Sequence, residues 1–113
     1  MKIIDDEITL AEIREMAKEK FGNMVKAVVD IERTIMAIDG DLHADEEALL
    51  LNNGSKNESL WGINLYPELN DNDWLEFDSM INLRPAQNNR TRGVDDPAIQ
   101  QKIIAIIYKL VKK

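Results

Sequence analysis

The sequence predicts an α+β fold: a four-stranded antiparallel meander with an N-terminal and a C-terminal helix packed on one face. Three observations predict it. Both ends of the chain carry capped stretches with apolar residues at helical spacing. The middle switches to a two-residue period rich in β-branched side chains. Between two such stretches lies Asp39-Gly40, a strong hairpin turn signal. The 113 residues fit one domain, taken as residues 1–113, and no repeat, low-complexity tract or linker divides them.

The first helix is read over residues 9–21, TLAEIREMAKEKF. Thr9 is a good N-cap and Glu12 stands three residues on, as a capping box requires, while Ile8 and Ile13 occupy hydrophobic-staple positions. Leu10, Ile13, Met16, Ala17 and Phe21 form one stripe, and Gly22 can end the helix in a left-handed conformation. The last helix is read over 97–112. Asp96 caps it, Pro97 takes the first turn, and Ile99, Ile103, Ile106 and Leu110 form its stripe, broadened by Ile104, Ile107 and Val111.

Residues 24–38 read as the first strand, with Val25, Ala27, Val29, Ile31, Ile35 and Ala37 on one face and Arg33 interrupting them. A type I′ turn at Asp39-Gly40 then sets the register. It pairs Ala37 with Leu42, Ile35 with Ala44, Arg33 with Glu46, Ile31 with Ala48 and Val29 with Leu50, so the two charges on the apolar face oppose each other with opposite sign. A helix over DEEALLL, which has high helix propensity, is the competing reading. Residues 60–66 (LWGINLY) and 74–83 (WLEFDSMINL) read as the third and fourth strands, and RPAQNNRTRGVDD as an irregular connection to the last helix.

Three stretches, LHADEEALLLNNGS, LWGINLYPE and EFDSMINLRPAQNNRTRGVDD, resemble a small prokaryotic domain-of-unknown-function family, with similarity from about Val28 to Val111. The resemblance implies a single-domain, cytoplasmic prokaryotic protein. It brings no assigned activity and no functional residues.

Composition narrows the function classes. Apolar residues make up 44% and charged residues 31%, the balance of a soluble globular protein. Cysteine is absent, which excludes disulfides, thiol chemistry and cysteine metal sites and fits a reducing cytoplasm. No signal peptide is recognisable near Met1, and no apolar run approaches the ~20 residues of a membrane span. The net charge of -7 is unevenly spread. Residues 1–83 carry nineteen acids against seven bases, a balance of −12, and residues 84–113 carry two against seven, a balance of +5.

The hairpin register also lays out a candidate site. Asp30, Glu32, His43, Asp45 and Glu47 project from the face opposite the helices, with Glu76 and Asp78 as possible additions. Carboxylates there suit magnesium, calcium or manganese, and the imidazole would admit zinc or iron, so a divalent metal and a metal-dependent hydrolase are one reading. A solvated acidic face is the plainer one. The same face carries Val28, Met36, Leu49, Leu51, Tyr66, Trp74 and Met80, which suits a non-enzymatic interaction module that closes a homodimer or receives a basic partner. A third reading places phosphate or RNA on Arg84, Arg90 and Arg92, although the acidic remainder of the chain argues against nucleic acid. Ser55, Ser59 and Ser79 fit no nucleophile motif.

Overall fold

The computed structural model describes residues 1–70 and 72–113. Among the described residues, seven strands and three α-helices run in the order β1 (Lys2–Ile4), β2 (Ile8–Thr9), α1 (Leu10–Glu19), β3 (Val25–Asp30), β4 (Ile35–Ile38), α2 (His43–Asn52), β5 (Leu60–Leu65), β6 (Leu75–Glu76), α3 (Pro97–Leu110) and β7 (Val111–Lys112). The fold is α+β, with three helices and a five-stranded sheet of order β1-β4-β3-β5-β6 in which every pair is antiparallel. Two strands form a separate parallel pair, β2 with β7, which ties the two ends of the chain together.

Both terminal helices start where their caps place them. The Glu12 N–H donates to Thr9 Oγ1 at 3.1 Å, and the Thr9 hydroxyl in turn meets the Glu12 carboxylate at 3.2 Å. Ile8 and Ile13 are both buried, as the staple requires. Gly22 adopts φ 92° and its N–H returns to the Ala17 carbonyl. In α3 the Asp96 carboxylate accepts from the Ala98 N–H at 2.8 Å, with Pro97 in the first turn.

The hairpin at Asp39-Gly40 does not form. The chain reverses four residues after Asp30 instead, so that Ala27 pairs with Ile38 and Asp30 with Ile35. The Asp30 side chain makes this turn: its Oδ1 accepts the N–H groups of Glu32 and Arg33, at 2.9 and 3.0 Å, and Thr34 adopts φ 58°. Asp39, at φ 71°, bends the chain into α2, and the helix propensity of ADEEALLL prevails over the strand reading. Arg33 and Glu46 therefore do not oppose each other. Arg33 donates to the Asn53 carbonyl, Asn53 Oδ1 and Ser55 Oγ, whereas Glu46 is buried.

The earlier turn also divides the apolar set between two faces. Val25, Ala27, Val29, Met36, Ile38, Trp61, Ile63 and Leu65 pack with Ile13, Ala17, Ile103, Ile107 and Leu110 of α1 and α3. On the other face Val28, Ile35, Ala37 and Leu60 pack with Leu50 of α2. Both terminal helices thus share one face, but the opposite face is not open. Val28 and Met36, expected outside, are 0% exposed, and Asp30 is 1% exposed. Continuous apolar runs such as AVV and IMAI belong to strands covered on both sides.

The expected strand over 74–83 is cut to Leu75–Glu76, which pairs with Leu65 and Asn64. Short 3₁₀ turns at Met80–Asn82 and Pro85–Gln87 follow it.

Glu46 shows how tightly α2 is seated. Its Oε2 accepts the Gly40 N–H at 2.9 Å, and its Oε1 has no hydrogen-bond partner in the protein. A Cβ on Gly40 would lie 2.7 Å from Glu46 Cγ, so only glycine allows this approach. Burial pushes the carboxyl up from 4.5 to about 9, with Asp39 adding to the shift and the Gly40 N–H, Lys26 and Lys20 opposing it. Between those two values the folded chain holds a proton that the unfolded chain has released. The stabilisation is therefore complete below the unfolded value and fades as pH rises through the folded one. In Glu46→Gln, thermal melting from about pH 5 to about pH 9 should show a flatter fall in Tm than in the parent protein. Parallel curves would contradict a buried neutral Glu46.

Candidate functional site

A cleft of about 450 Å³ with a mixed polar and apolar lining opens where the start of α2 meets β5 and the segment after β6. The pleat places Lys26 of β3 and Asn64 of β5 side by side as register partners, on the face opposite Ala27 and Ile63. His43, the first residue of α2, leans over this pair. Tyr66, Glu76, Asp78, Ser79 and Arg92 complete the polar wall, and Leu42 and Met80 stand at the rim, 59% and 63% exposed.

The hydrogen bonds fix the chemical state of the wall. His43 Nε2 lies 2.8 Å from the Ile63 carbonyl, which can only accept, so Nε2 carries a proton. The imidazole pKa is lowered from 6.5, first by burial and further by Lys26, against the opposing pull of the Ile63 carbonyl, Asp78 and Asn64. The ring is therefore neutral near pH 7 and leaves Nδ1 as an acceptor. Asn64 Nδ2 donates to Glu76 Oε1 at 2.8 Å and to the Asp78 carbonyl at 3.3 Å. Two acceptors at the nitrogen settle which end of the amide is which. Tyr66 donates to the same Glu76 oxygen at 3.0 Å; burial and that carboxylate hold its hydroxyl above its ordinary pKa. Arg92 Nε closes on Asp78 Oδ1 at 2.8 Å.

One atom is left over. Asn64 is 5% exposed, and its Oδ1 makes no hydrogen bond within the protein. It stands near enough to the imidazole to favour the charged ring, yet not in hydrogen-bonding geometry.

The five acidic-face candidates do not share a face, because α2 replaces the strand that aligned them. Asp30 is buried and fully engaged: Ser55 donates to its Oδ2 at 2.6 Å and two backbone N–H groups fill its Oδ1. Glu32 accepts from Ser59 and faces Lys56. Asp45 is exposed in the first turn of α2, and Glu47 accepts from Asn57. Of these five only His43 lines the cleft, where it meets Glu76 and Asp78, the two additions that the sequence offered. Among the described residues no group of three or more His, Asp and Glu side chains is placed to hold a metal ion.

The three arginines likewise share no common partner. Arg84 donates to the Asn57 carbonyl at 2.6 Å and to the Leu60 carbonyl, with its guanidinium 4.3 Å from the Trp61 ring centroid. Arg90 is exposed and its backbone N–H meets Asp95, while Arg92 is held by Asp78.

Two asparagines build the wall behind the cleft, and the sequence singled out neither for this role. Asn82 accepts the Gly62 N–H at 2.8 Å and donates to the Gly62 and Arg92 carbonyls at 3.0 and 2.9 Å. Asn89 donates to the carbonyls of Asn82, Thr91 and Gly93 and accepts the Asp95 N–H. Asn64 could have been flagged as a polar residue inside an apolar strand; its partners could not.

A family model described as "Protein of unknown function (DUF5674)" matches residues 2–110. The chain belongs to this family. No curated protein and no solved structure matches it. In this DUF5674 chain, the LWGINLYPE and EFDSMINLRPAQNNRTRGVDD stretches meet in space: Trp61, Gly62 and Asn64 from the first are held by Arg84, Asn82 and Glu76 from the second. No helix among the described residues is long and apolar enough to cross a membrane.

The arginine geometry makes a stability test. Arg84→Lys loses the planar fork and the ring contact and should cost ~1–3 kcal/mol in urea unfolding, whereas Arg90→Ala should stay within ~0.5 kcal/mol of the parent. Equal effects would contradict these assignments.

Proposed function

We propose that this chain is a non-enzymatic binding module, and that its ligand sits in the His43–Asn64 cleft rather than on an open acidic sheet face. The observation that carries this reading is Asn64, a residue of the cleft lining whose buried Oδ1 has no partner within the protein. A buried polar atom left unmatched costs ~1–3 kcal/mol, so a ligand N–H or O–H placed there recovers a contact the free protein forgoes. Neutral His43 adds a second acceptor and Glu76 a third, already oriented by Asn64 and Tyr66. The volume falls within the range usual for small-ligand sites. The metal-dependent hydrolase drew its support from the hairpin register, and α2 removes that support. A prokaryotic cytoplasmic setting is part of the proposal; the cysteine-free sequence supports its cytoplasmic half.

Side-chain and backbone NMR with a panel of small amides, amines, guanidines and carboxylates tests the cleft. Fragments should perturb His43, the Asn64 amide and Tyr66 together. Responses confined to the apolar groove of Leu10, Trp74, Ile107 and Tyr108, or no response at all, would contradict it.

A further inference from the structure

We propose that the cleft takes the lysine or arginine side chain of a basic polypeptide segment, with the aliphatic stem between Leu42 and Met80 and the cationic head against Asn64 Oδ1, His43 Nδ1 and Glu76. This deepens the cleft reading and rests on it.

The shape argument comes first. Leu42 and Met80 are large apolar side chains left exposed at a site whose wall also carries Asn64, His43 and Glu76. Long cationic side chains have the same two-part character, an apolar stem and a polar tip. The tip carries only donors, three on an ammonium and five on a guanidinium. The unused positions on Asn64 and His43 are acceptors, and Glu76 adds a carboxylate whose Oε1 is the only oxygen engaged by Asn64 and Tyr66.

Charge argues in the same direction. The chain carries -7 overall, and the imbalance is concentrated in residues 1–83, which supply all of the cleft except Arg92. Within the cleft the two carboxylates, Glu76 and Asp78, are matched by Lys26 and Arg92, so the net negative charge of the chain acts only as long-range attraction for a basic segment. Two cations also line the cleft and must be counted. Arg92 is neutralised by Asp78 at 2.8 Å. Lys26 places its ammonium 5.5 Å from the Phe21 ring centroid, against a residue outside the cleft wall.

Lys26 decides the sign of the ligand. If the ligand head is cationic, removing Lys26 relieves repulsion; if it is anionic, the same change removes its counter-charge. The test is fluorescence anisotropy with a labelled Gly-Ser-Lys-Ser-Gly peptide and matched peptides carrying arginine, norleucine or glutamate at the centre. The lysine or arginine peptide should bind at least about tenfold more tightly than the norleucine peptide. Lys26→Met should tighten that binding by about threefold or more, and Glu76→Gln should weaken it about tenfold. Glu15→Gln, which removes the same formal charge from exposed α1, should change it less than about twofold, separating the cleft from general attraction.

Preference for the glutamate peptide, or weaker binding in Lys26→Met, would overturn the cationic assignment while leaving the cleft as a ligand site. Equal loss in Glu15→Gln and Glu76→Gln would overturn it too, as general attraction. If no peptide binds and small fragments also leave Asn64 unperturbed, both readings fall together.

Discussion

The structure depends most on one amide that does the work of a strand. Beside Gly62, the side chain of Asn82 returns both a donor and an acceptor to the backbone, as a neighbouring strand would. Strand β6 is only two residues long, so without Asn82 the Gly62 end of β5 would present unmatched backbone groups. Arg84 covers the same edge at Leu60. The approach is close enough to dictate residue identity: a Cβ on Gly62 would lie 2.5 Å from Ser79 Cβ. Seated this way, Asn82 also receives Arg92 and Asn89, and so it fixes the path of the chain from Ser79 to Asp95.

The cleft follows from that path. Ser79, Met80, Ile81 and Arg92 reach the cleft because the segment bearing them is pinned to β5, and Asp78 is held there by Arg92. The opposite wall comes from α2, whose seating relies on two buried ionisable side chains, His43 on the Ile63 carbonyl and Glu46 on the Gly40 N–H. Burial shifts both towards their neutral forms, His43 downwards and Glu46 upwards. The acidity so visible in the sequence therefore overstates the charge that α2 turns towards the sheet.

The terminal helices were legible because their signals are local. A Thr9–Glu12 cap or an Asp96-Pro97 start acts over three residues whatever the rest of the chain does. The region between them was legible only in part. Asp-Gly serves equally as a hairpin turn and as a bend into a helix, and the choice here rests on α2 covering Val28, Ile35 and Leu60. The apolar alternation over 24–38 was real, but four turn residues after Asp30 shifted its second half onto the other face. The candidate site suffered most. His43 borders the cleft as a neutral acceptor, together with Glu76 and Asp78 but without Asp30, Glu32, Asp45 or Glu47. Asn64, Asn82 and Asn89 act through contacts 10 or more residues distant or through several backbone carbonyls at once, which no local pattern encodes.

Hydrogen exchange at the Gly62 amide tests most directly whether a side chain completes this sheet. If Asn82 acts as the missing strand, Gly62 exchanges as slowly as the amides of central β3, and Asn82→Ala releases Gly62 and Ser79 selectively while the Ile103 and Ile107 amides of α3 stay protected. Rapid Gly62 exchange in the parent protein, or protection that survives Asn82→Ala, would contradict the account.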